Sequence, residues 1–515
     1  MQGAGTRGLG VQGAGVQGAG VQGQRGARHG AAKRGAGRHG VGQPGFTARH
    51  GLLTEDQRAL AGDVAELIRG DDLRTVRLAV IDQHGIPRAR SLSPETAIAA
   101  MTAGLDFSGA IYGLDTGNNL FMDASGEGAG FPDVVAVPDP ATYRILPWAD
   151  RTGWILCDAY SASGRPVPVD GRGLLRRKLG QLADSGYEFV TGLEFEFYIL
   201  KNEEITLKPE NSGPAPRPPR VSVFERGYQY LSEARLDSMS QTLDAIVSVL
   251  IGLGFPPRSV EAEWGPGQVE ISFAPMTGIM GGDAAALIRS AIKQVCQRLD
   301  LVATFMCRPG LPNFLPSGWH LHQSLAERRS GHNAFADPNA PLSRAGRQYV
   351  AGLLDHALPA LPFAVPTVNG YRRFGLEAFT PDRVSWAVEN RSALVRVQGA
   401  PNDTSSHVEL RSGEPAANPY LYLASCISAG LDGMRRGLEL PAPDGNGPRL
   451  PRSLAESVRN LEEDRFFRTD LGDSIVDHFL LMKQAEIKRY EKSLESASGS
   501  PDEVTDWEMR EYFLA

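Results

Sequence analysis

The feature that most limits how this chain can fold is the run Leu193-Glu-Phe-Glu-Phe-Tyr-Ile-Leu200, where carboxylates alternate with large apolar side chains. Alternation with a period of two is the pattern of a strand, so Glu194 and Glu196 share one face and Phe195 and Phe197 the other. Two carboxylates on one face of such a strand repel each other unless positive charge lies between them. Carboxylate oxygens suit a hard divalent cation, Mg²⁺ or Mn²⁺. The pair alone does not decide between a metal site and the solvated face of an edge strand.

Three further stretches complete the pattern. In Glu261–Phe273, Glu263 and Glu270 flank Gly265, Pro266 and Gly267, which break the strand and turn the chain. Gln268 and Glu270 then share a face of the resumed strand, whose Ile271 and Phe273 mark it as buried, and buried carboxylates require partners. In Ser317–Leu325, His320, His322 and Ser324 recur at every second position and face one way, which suits a ligand role. In the last stretch, His407–Arg411, Glu409 and Arg411 share a strand face; before it, Arg391 and Arg396 bracket a short apolar run. Arginines alternating with core residues suit phosphate and carboxylate binding through the guanidinium fork. Glu194, Glu196, Glu263, Glu270 and Glu409 with His320 form a donor set for about two divalent cations, and the arginines would face polyanions. Metal-assisted phosphoryl transfer needs both.

Composition narrows the class. At 515 residues and a net charge of −7, the chain has room for more than one domain and no basic excess that suggests nucleic acid. Cys157, Cys296, Cys307 and Cys426 are far apart, which argues against a disulfide scaffold or zinc cluster and for reduced thiols in a cytoplasm. No apolar run reaches the roughly 18 residues that would cross a membrane. Residues 1–51, rich in Gly, Ala and Gln and repeating Val-Gln-Gly-Ala-Gly, read as a disordered tail. Residues 52–165 read as a small α+β domain: a helix opened by a capping box at Thr54, then strands over 73–82 and 88–93 joined by a hairpin turn. Residues 166–515 alternate helices and strands, with helices expected over 172–185, 236–253 and 283–299 and a helical section over 453–493.

Taken in order from about Leu73 onward, these motifs resemble those of the glutamine synthetase family. The matching strings are Gly192–Phe197, Glu263–Ile271, His320–Leu325, Asn390–Val397, Glu409–Arg411, Ala417–Leu421, Ala429–Gly433 and Val504–Glu508. The resemblance is strongest to the bacterial class I group that includes γ-glutamyl-polyamine and γ-glutamyl-amine ligases. It implies an α+β fold: a small β-grasp N-terminal domain and a large catalytic domain with a curved antiparallel sheet flanked by helices. By motif position, Glu196, Glu263 and Glu270 would hold one metal, and Glu194, His320 and Glu409 another. His322, Ser324, Arg391 and Arg396 would lie with the nucleotide, and Arg373 and Arg411 would meet glutamate and the transferring phosphoryl. The family uses ATP with roughly two to three Mg²⁺ or Mn²⁺ ions per site to phosphorylate glutamate, and an amine or ammonia displaces the phosphate. Its subunits assemble as double-ring homo-oligomers, commonly dodecamers, each site completed by the neighbour's N-terminal domain.

Departures from the family pattern shape the functional expectation. The flap glutamate expected between Arg373 and Arg391 falls at Phe379, which favours an apolar amine over ammonium. The loop before His320 reads Asn313-Phe-Leu-Pro-Ser-Gly, where ammonia-using members carry Asn-Gly-Ser-Gly. Asp115-Thr-Gly is the nearest match to the ammonium-site motif, and Asp133 matches a later acidic position. No tyrosine lies between Tyr422 and Tyr490, so adenylylation of the family's usual tyrosine is not expected. The expectation is an ATP-dependent ligase forming a γ-glutamyl amide with an organic amine, with glutamine synthetase proper as the alternative within the same chemistry. A non-catalytic structural or regulatory homologue is the alternative of another class.

Overall fold

Strands β1 (Thr75–Ile81) and β2 (Pro87–Leu92) form the expected hairpin, and their sheet sets the position of everything that follows. The computed structural model describes residues 44–121, 130–204, 206–214, 216–374, 379–443, 447–495 and 503–515. The expected tail therefore lies outside the described residues up to position 43. Helix α1 (Phe46–Arg49) falls on the tail side of the boundary expected at 52, because Phe46 buries itself against Val135 and Val137. A single anchor of this kind has no periodicity to announce it. Helix α2 (Glu55–Gly70) opens with the capping box, Thr54 and Gln57 each accepting a hydrogen bond from the other's backbone N–H.

The small sheet runs β2-β1-β6-β4-β3, where β3 is Leu105–Phe107, β4 Val134–Pro138 and β6 Thr152–Tyr160; β5 (Arg144–Ile145) pairs with β6. Pairing of β1 with β6 is parallel and the rest is antiparallel. Val76, Leu78 and Val80 face a core shared with α2 and α3 (Pro94–Ala103), while Ala79, Ile81, Trp154 and Leu156 enter the main core of the chain. Burial on both faces explains why β1 reads as an almost unbroken apolar run. The small sheet is tied to the helix Met280–Arg298 by Arg172, fully buried near the start of α4 (Gly171–Asp184). Its guanidinium is 2.7 Å from Asp139 and 2.7 Å from Asp283, and it also pairs with Asp158.

The large sheet has ten strands and is built on β7 (Tyr187–Asn202), 16 residues long. This strand pairs with β8 (Val221–Ser222), β10 (Gln268–Phe273), β11 (Met276–Thr277), β12 (Leu301–Thr304) and β13 (Trp319–Glu327). Beyond β10 lies β9 (Pro257–Ala262); beyond β13 lie β16 (His407–Leu410), β15 (Val395–Gln398) and β14 (Trp386–Val388). The sheet is antiparallel, as expected, except at its end, where β14 and β15 are parallel. Glu389, at φ 52°, turns the chain out of β14, and the following loop returns it beside Trp386.

Phe195 and Phe197 face the core, tilted against Trp319 at 4.7 Å and stacked on Phe305 at 5.0 Å between ring centroids. The expected helix over 236–253 is instead α5 (Glu233–Ser238) and α6 (Ser240–Gly252), broken at Met239, where φ is −104° and ψ 0°. Helix α7 (Met280–Arg298) and the helix Pro419–Arg436 also contribute residues to this core. Asn418 caps the latter by accepting from the Tyr420 and Leu421 N–H groups, and its amide donates to the Asp82 and Gln83 carbonyls of the β1–β2 turn. All four cysteines are buried and unpaired. Among the described residues no helix is long and apolar enough to cross a membrane.

Candidate active site

Register alone assembles the acids. Across the β13–β7 pair His320 faces Glu194, across β10–β7 Glu270 faces Glu196, and across β13–β16 His322 faces Glu409. His320 Nδ1 lies 2.5 Å from Glu194 Oε1 and 3.7 Å from Glu409 Oε1, and its Nε2 lies 3.7 Å from Glu196 Oε1. Gly318 makes this possible: a Cβ there would stand 2.8 Å from Arg373 Nη2 and 3.1 Å from His320 Nε2.

The donor atoms fall into three groups, each within 4.8 Å: Glu194, His320 and Glu409; Glu196, Glu270 and His320; and Glu261, Glu263 and Glu270. The first is one expected ligand set brought together whole. The other expected set, Glu196, Glu263 and Glu270, is spread over two groups that share Glu270, and Glu261 joins them. Glu261 was missed because it sits one residue before a strand break. Only its pairing with Glu270 across β9 and β10 reveals its place.

Charge is badly balanced on the β10 side. Burial, then the carboxylates of Glu194 and Glu196, push Glu270 up to about 11. Burial, then Glu196, pushes Glu263 up to about 8. Burial raises Glu196 to about 7 against the pull of Arg373. Burial also works against Glu194, yet hydrogen bonds to His320 and His322 hold its carboxyl well below the usual range. Burial and Arg411 together lower His320, favouring the neutral imidazole that a metal requires. An oxygen-rich cluster with one imidazole and too little positive charge fits a hard divalent cation.

The arginines close the other side. Arg373, buried, donates to the Gly413 carbonyl at 2.8 Å and approaches His320 Nε2 at 3.2 Å. Arg396 Nη1 donates to Glu409 Oε2 at 3.1 Å and its Nη2 to Glu389 at 2.5 Å, while Arg411 pairs with the other oxygen of Glu409. Arg391 is exposed, and its carbonyl accepts from Arg411 Nε at 2.9 Å. Ser324 is half-buried on the face of His320 and His322. His322, expected with the nucleotide, instead sits 3.0 Å from Glu194 Oε2 and 3.1 Å from His407 Nε2, so it supports the acid cluster in this arrangement. Two further residues support the site: Tyr198, which had no role in the sequence reading, and Gln268, which was placed there only on the face of Glu270. Tyr198 accepts from the Leu315 N–H at 2.8 Å, and Gln268 spans Glu196 at 3.2 Å and Ser317 at 3.0 Å. Asp115 is committed to Arg489 at 2.9 Å and to the Asn119 N–H at 2.7 Å, and Asp133 is exposed. Phe379 is exposed, next to residues outside the described set.

Residues 168–512 match the family model for the catalytic domain of glutamine synthetase. The chain is 39% identical over 491 residues to the γ-glutamylanilide synthase of an Acinetobacter species, covering 91% of this chain and 98% of that relative. It is 26% identical over 474 residues to the glutamate–isopropylamine ligase of a Pseudomonas species, covering 89% and 99%. To the glutamine synthetase of Methanococcus voltae it is 30% identical over 474 residues, covering 87% and 98%. The solved structure of apo GmaS without ligand aligns with a TM-score of 0.71 at 26% identity, over 87% of this chain and 98% of that one. With a catalytic-domain match across most of its length and a relative this similar nearly end to end, the chain belongs to the glutamine synthetase family of ligases.

Proposed function

We propose that this protein joins the γ-carboxylate of glutamate to an apolar amine, in the first instance an arylamine, at the expense of ATP. The observation that carries the reading is Phe379, which falls in the sequence where the family's flap carboxylate is expected, in a chain that keeps the complete set of acid and arginine groups. An ammonium ion must lose a proton before it can attack, and a flap carboxylate serves that step. An arylamine is already neutral near pH 7, so a phenyl group in that place costs it nothing and offers apolar contact. The γ-glutamylanilide synthase relative, at 39% identity, supports the same choice.

With a neutral arylamine the reaction balances as glutamate plus amine plus ATP giving γ-glutamyl amide, ADP and hydrogen phosphate, the proton lost by the amine nitrogen ending on the phosphate. The γ-carboxylate oxygen first attacks the terminal phosphorus and ADP leaves; the amine nitrogen then attacks the acyl carbon and phosphate leaves with the C–O bond. Glu194, His320 and Glu409 on one side and Glu196, Glu263 and Glu270 on the other would hold Mg²⁺ or Mn²⁺. When bound, such ions supply the positive charge that neutralises phosphate oxygens during transfer. Arg396 and Arg391 orient the nucleotide phosphates, and Arg373 and Arg411 orient the acid substrate and the transferring group. Tyr198 fixes the Leu315 backbone and so the shape of the loop that replaces Asn-Gly-Ser-Gly, which sets the fit of the acid. Once the amine has attacked, its proton leaves with the departing phosphate.

The reading extends to organisation. Residues 52–165 would serve as the domain that completes a neighbour's site in a double-ring homo-oligomer, a dodecamer by family habit, in the cytoplasm. Ammonia as nucleophile is the second reading, supported by the 30% identity to a glutamine synthetase. Phosphate release from ATP with glutamate, across aniline, isopropylamine, ethanolamine, putrescine and ammonia, tests both. Release that depends on aniline, with the anilide seen by mass, supports the first; release with ammonia alone supports the second.

A further inference from the structure

Beside the β9–β10 turn two aromatic rings lie face to face in a place no ligand role explains. Tyr230 and Trp264 have centroids 4.7 Å apart and planes within 4°. Both reach solvent, Trp264 being 50% and Tyr230 42% exposed. The open face of one flat ring readily accepts another.

The pair is held in place at a conformational cost. Gln229 at φ 70° and Leu231 at φ 55° flank Tyr230 on both sides, in the left-handed region that a branched side chain rarely enters. Strained backbone persists only where its surroundings fix it, and here they do. Arg235 donates to Glu225 through Nε at 2.9 Å and Nη2 at 3.1 Å, and to the Gly265 carbonyl at 3.0 Å. Glu225 in turn accepts from the Gly227 N–H at 2.6 Å and the Gly267 N–H at 2.8 Å. The Leu231 N–H donates to the Ala262 carbonyl at 3.2 Å. The buried Glu225–Arg235 pair thus ties the Tyr230 loop to the same turn that carries Glu263 and Trp264. Trp264 follows Glu263 directly in the chain, so the ring of Tyr230 stacked on it is held beside the acid cluster.

We infer that the Tyr230–Trp264 pair is the platform on which the aryl ring of the amine substrate stacks, with Glu225 and Arg235 as positioning residues that hold it. The inference rests on the arylamine reading and adds the surface that selects the ring. A ring laid on this pair lies beside Glu263, where the amino group can meet the acyl carbon.

The test compares kcat/KM for aniline and for ammonia, and KM for ATP, in the wild type, Trp264→Leu, Trp264→Phe and Tyr230→Leu. Trp264→Leu and Tyr230→Leu are expected to lower the aniline-to-ammonia ratio about tenfold, and Trp264→Phe to restore most of it. Equal losses with both nucleophiles would make the pair structural, and a rise in KM for ATP alone would make it a shelf for the nucleotide base; either overturns the platform. If the wild type forms no anilide while using ammonia, the substrate reading fails separately. Tryptophan emission then decides: a change with aniline that disappears in Trp264→Leu keeps the platform, and an identical response in both proteins removes it.

Discussion

His320 and Glu194 meet at 2.5 Å across the β13–β7 pair, and the same imidazole reaches toward Glu196 through its other nitrogen at 3.7 Å. One histidine therefore stands between the two carboxylates that the alternation of β7 aims at a single face. The charge of the site depends on that contact more than on any other, and its consequences can be measured.

Stability of the metal-free protein is expected to fall as pH rises. Glu196, Glu263 and Glu270 have folded values raised to about 7, 8 and 11. Above the ordinary value near 4.5, the unfolded chain has released protons that the folded chain still holds, so stability drops with increasing pH through these folded values. In EDTA, Tm should decline on the order of 5 °C between pH 5 and 8, and saturating Mg²⁺ should flatten the decline. A curve that rises over that interval would contradict the charge balance described above.

Glu270→Gln removes the most strongly repelled carboxyl without changing its volume. In EDTA the variant is expected to be at least as stable as the wild type, and to gain less than half the wild-type increase in Tm on adding Mg²⁺. Calorimetry with and without the ion reads both quantities. An undiminished gain would remove Glu270 from the ligand set.

Glu196→Ala should reduce ATP-dependent phosphate release by about a hundredfold to a thousandfold, the usual cost of losing a group that organises charge in transfer chemistry. Its assembly by size-exclusion chromatography should match the wild type. Full activity would show that Glu196 holds no catalytic ion.

Phe379→Glu is expected to shift kcat/KM toward ammonia, relative to aniline, by about tenfold. The two nucleophiles compared in one assay at fixed ATP and glutamate give the ratio directly. An unmoved ratio means that the flap position does not govern the choice.

Arg172→Met leaves Asp139 and Asp158 with Arg176 alone and takes from Asp283 the guanidinium it pairs with. Breaking a buried ion network from one side costs roughly 3–5 kcal/mol, which urea unfolding should register as a lower midpoint. Because the partners come from the small sheet and from helix α7, which packs in the core of the large one, the transition is also expected to broaden.

Most of the strand framework was legible because its signals are local. Period-two alternation is enough to orient Glu194, Glu196, His320, His322 and Glu409, and the Gly-Pro-Gly break identifies the β9–β10 turn. Pairing between distant strands is not local, which is why Glu261 and the contact of His322 with Glu194 required the structure. The break at Met239 was hidden because apolar spacing continues through it while the backbone does not. Arg172 gave no sign either: its partners come from three separate segments, and only the fold gathers them.

Because β7 is bonded along its length to other strands, a slip of one residue would drive Glu194 and Glu196 into the apolar layer beneath. The segments carrying Phe379, Asn313 and Tyr230 lie outside the strands of that framework and are under no such constraint of register. On the proposed reading, a change of amine would then need only these segments to change, while the strands that gather the acids stay as they are.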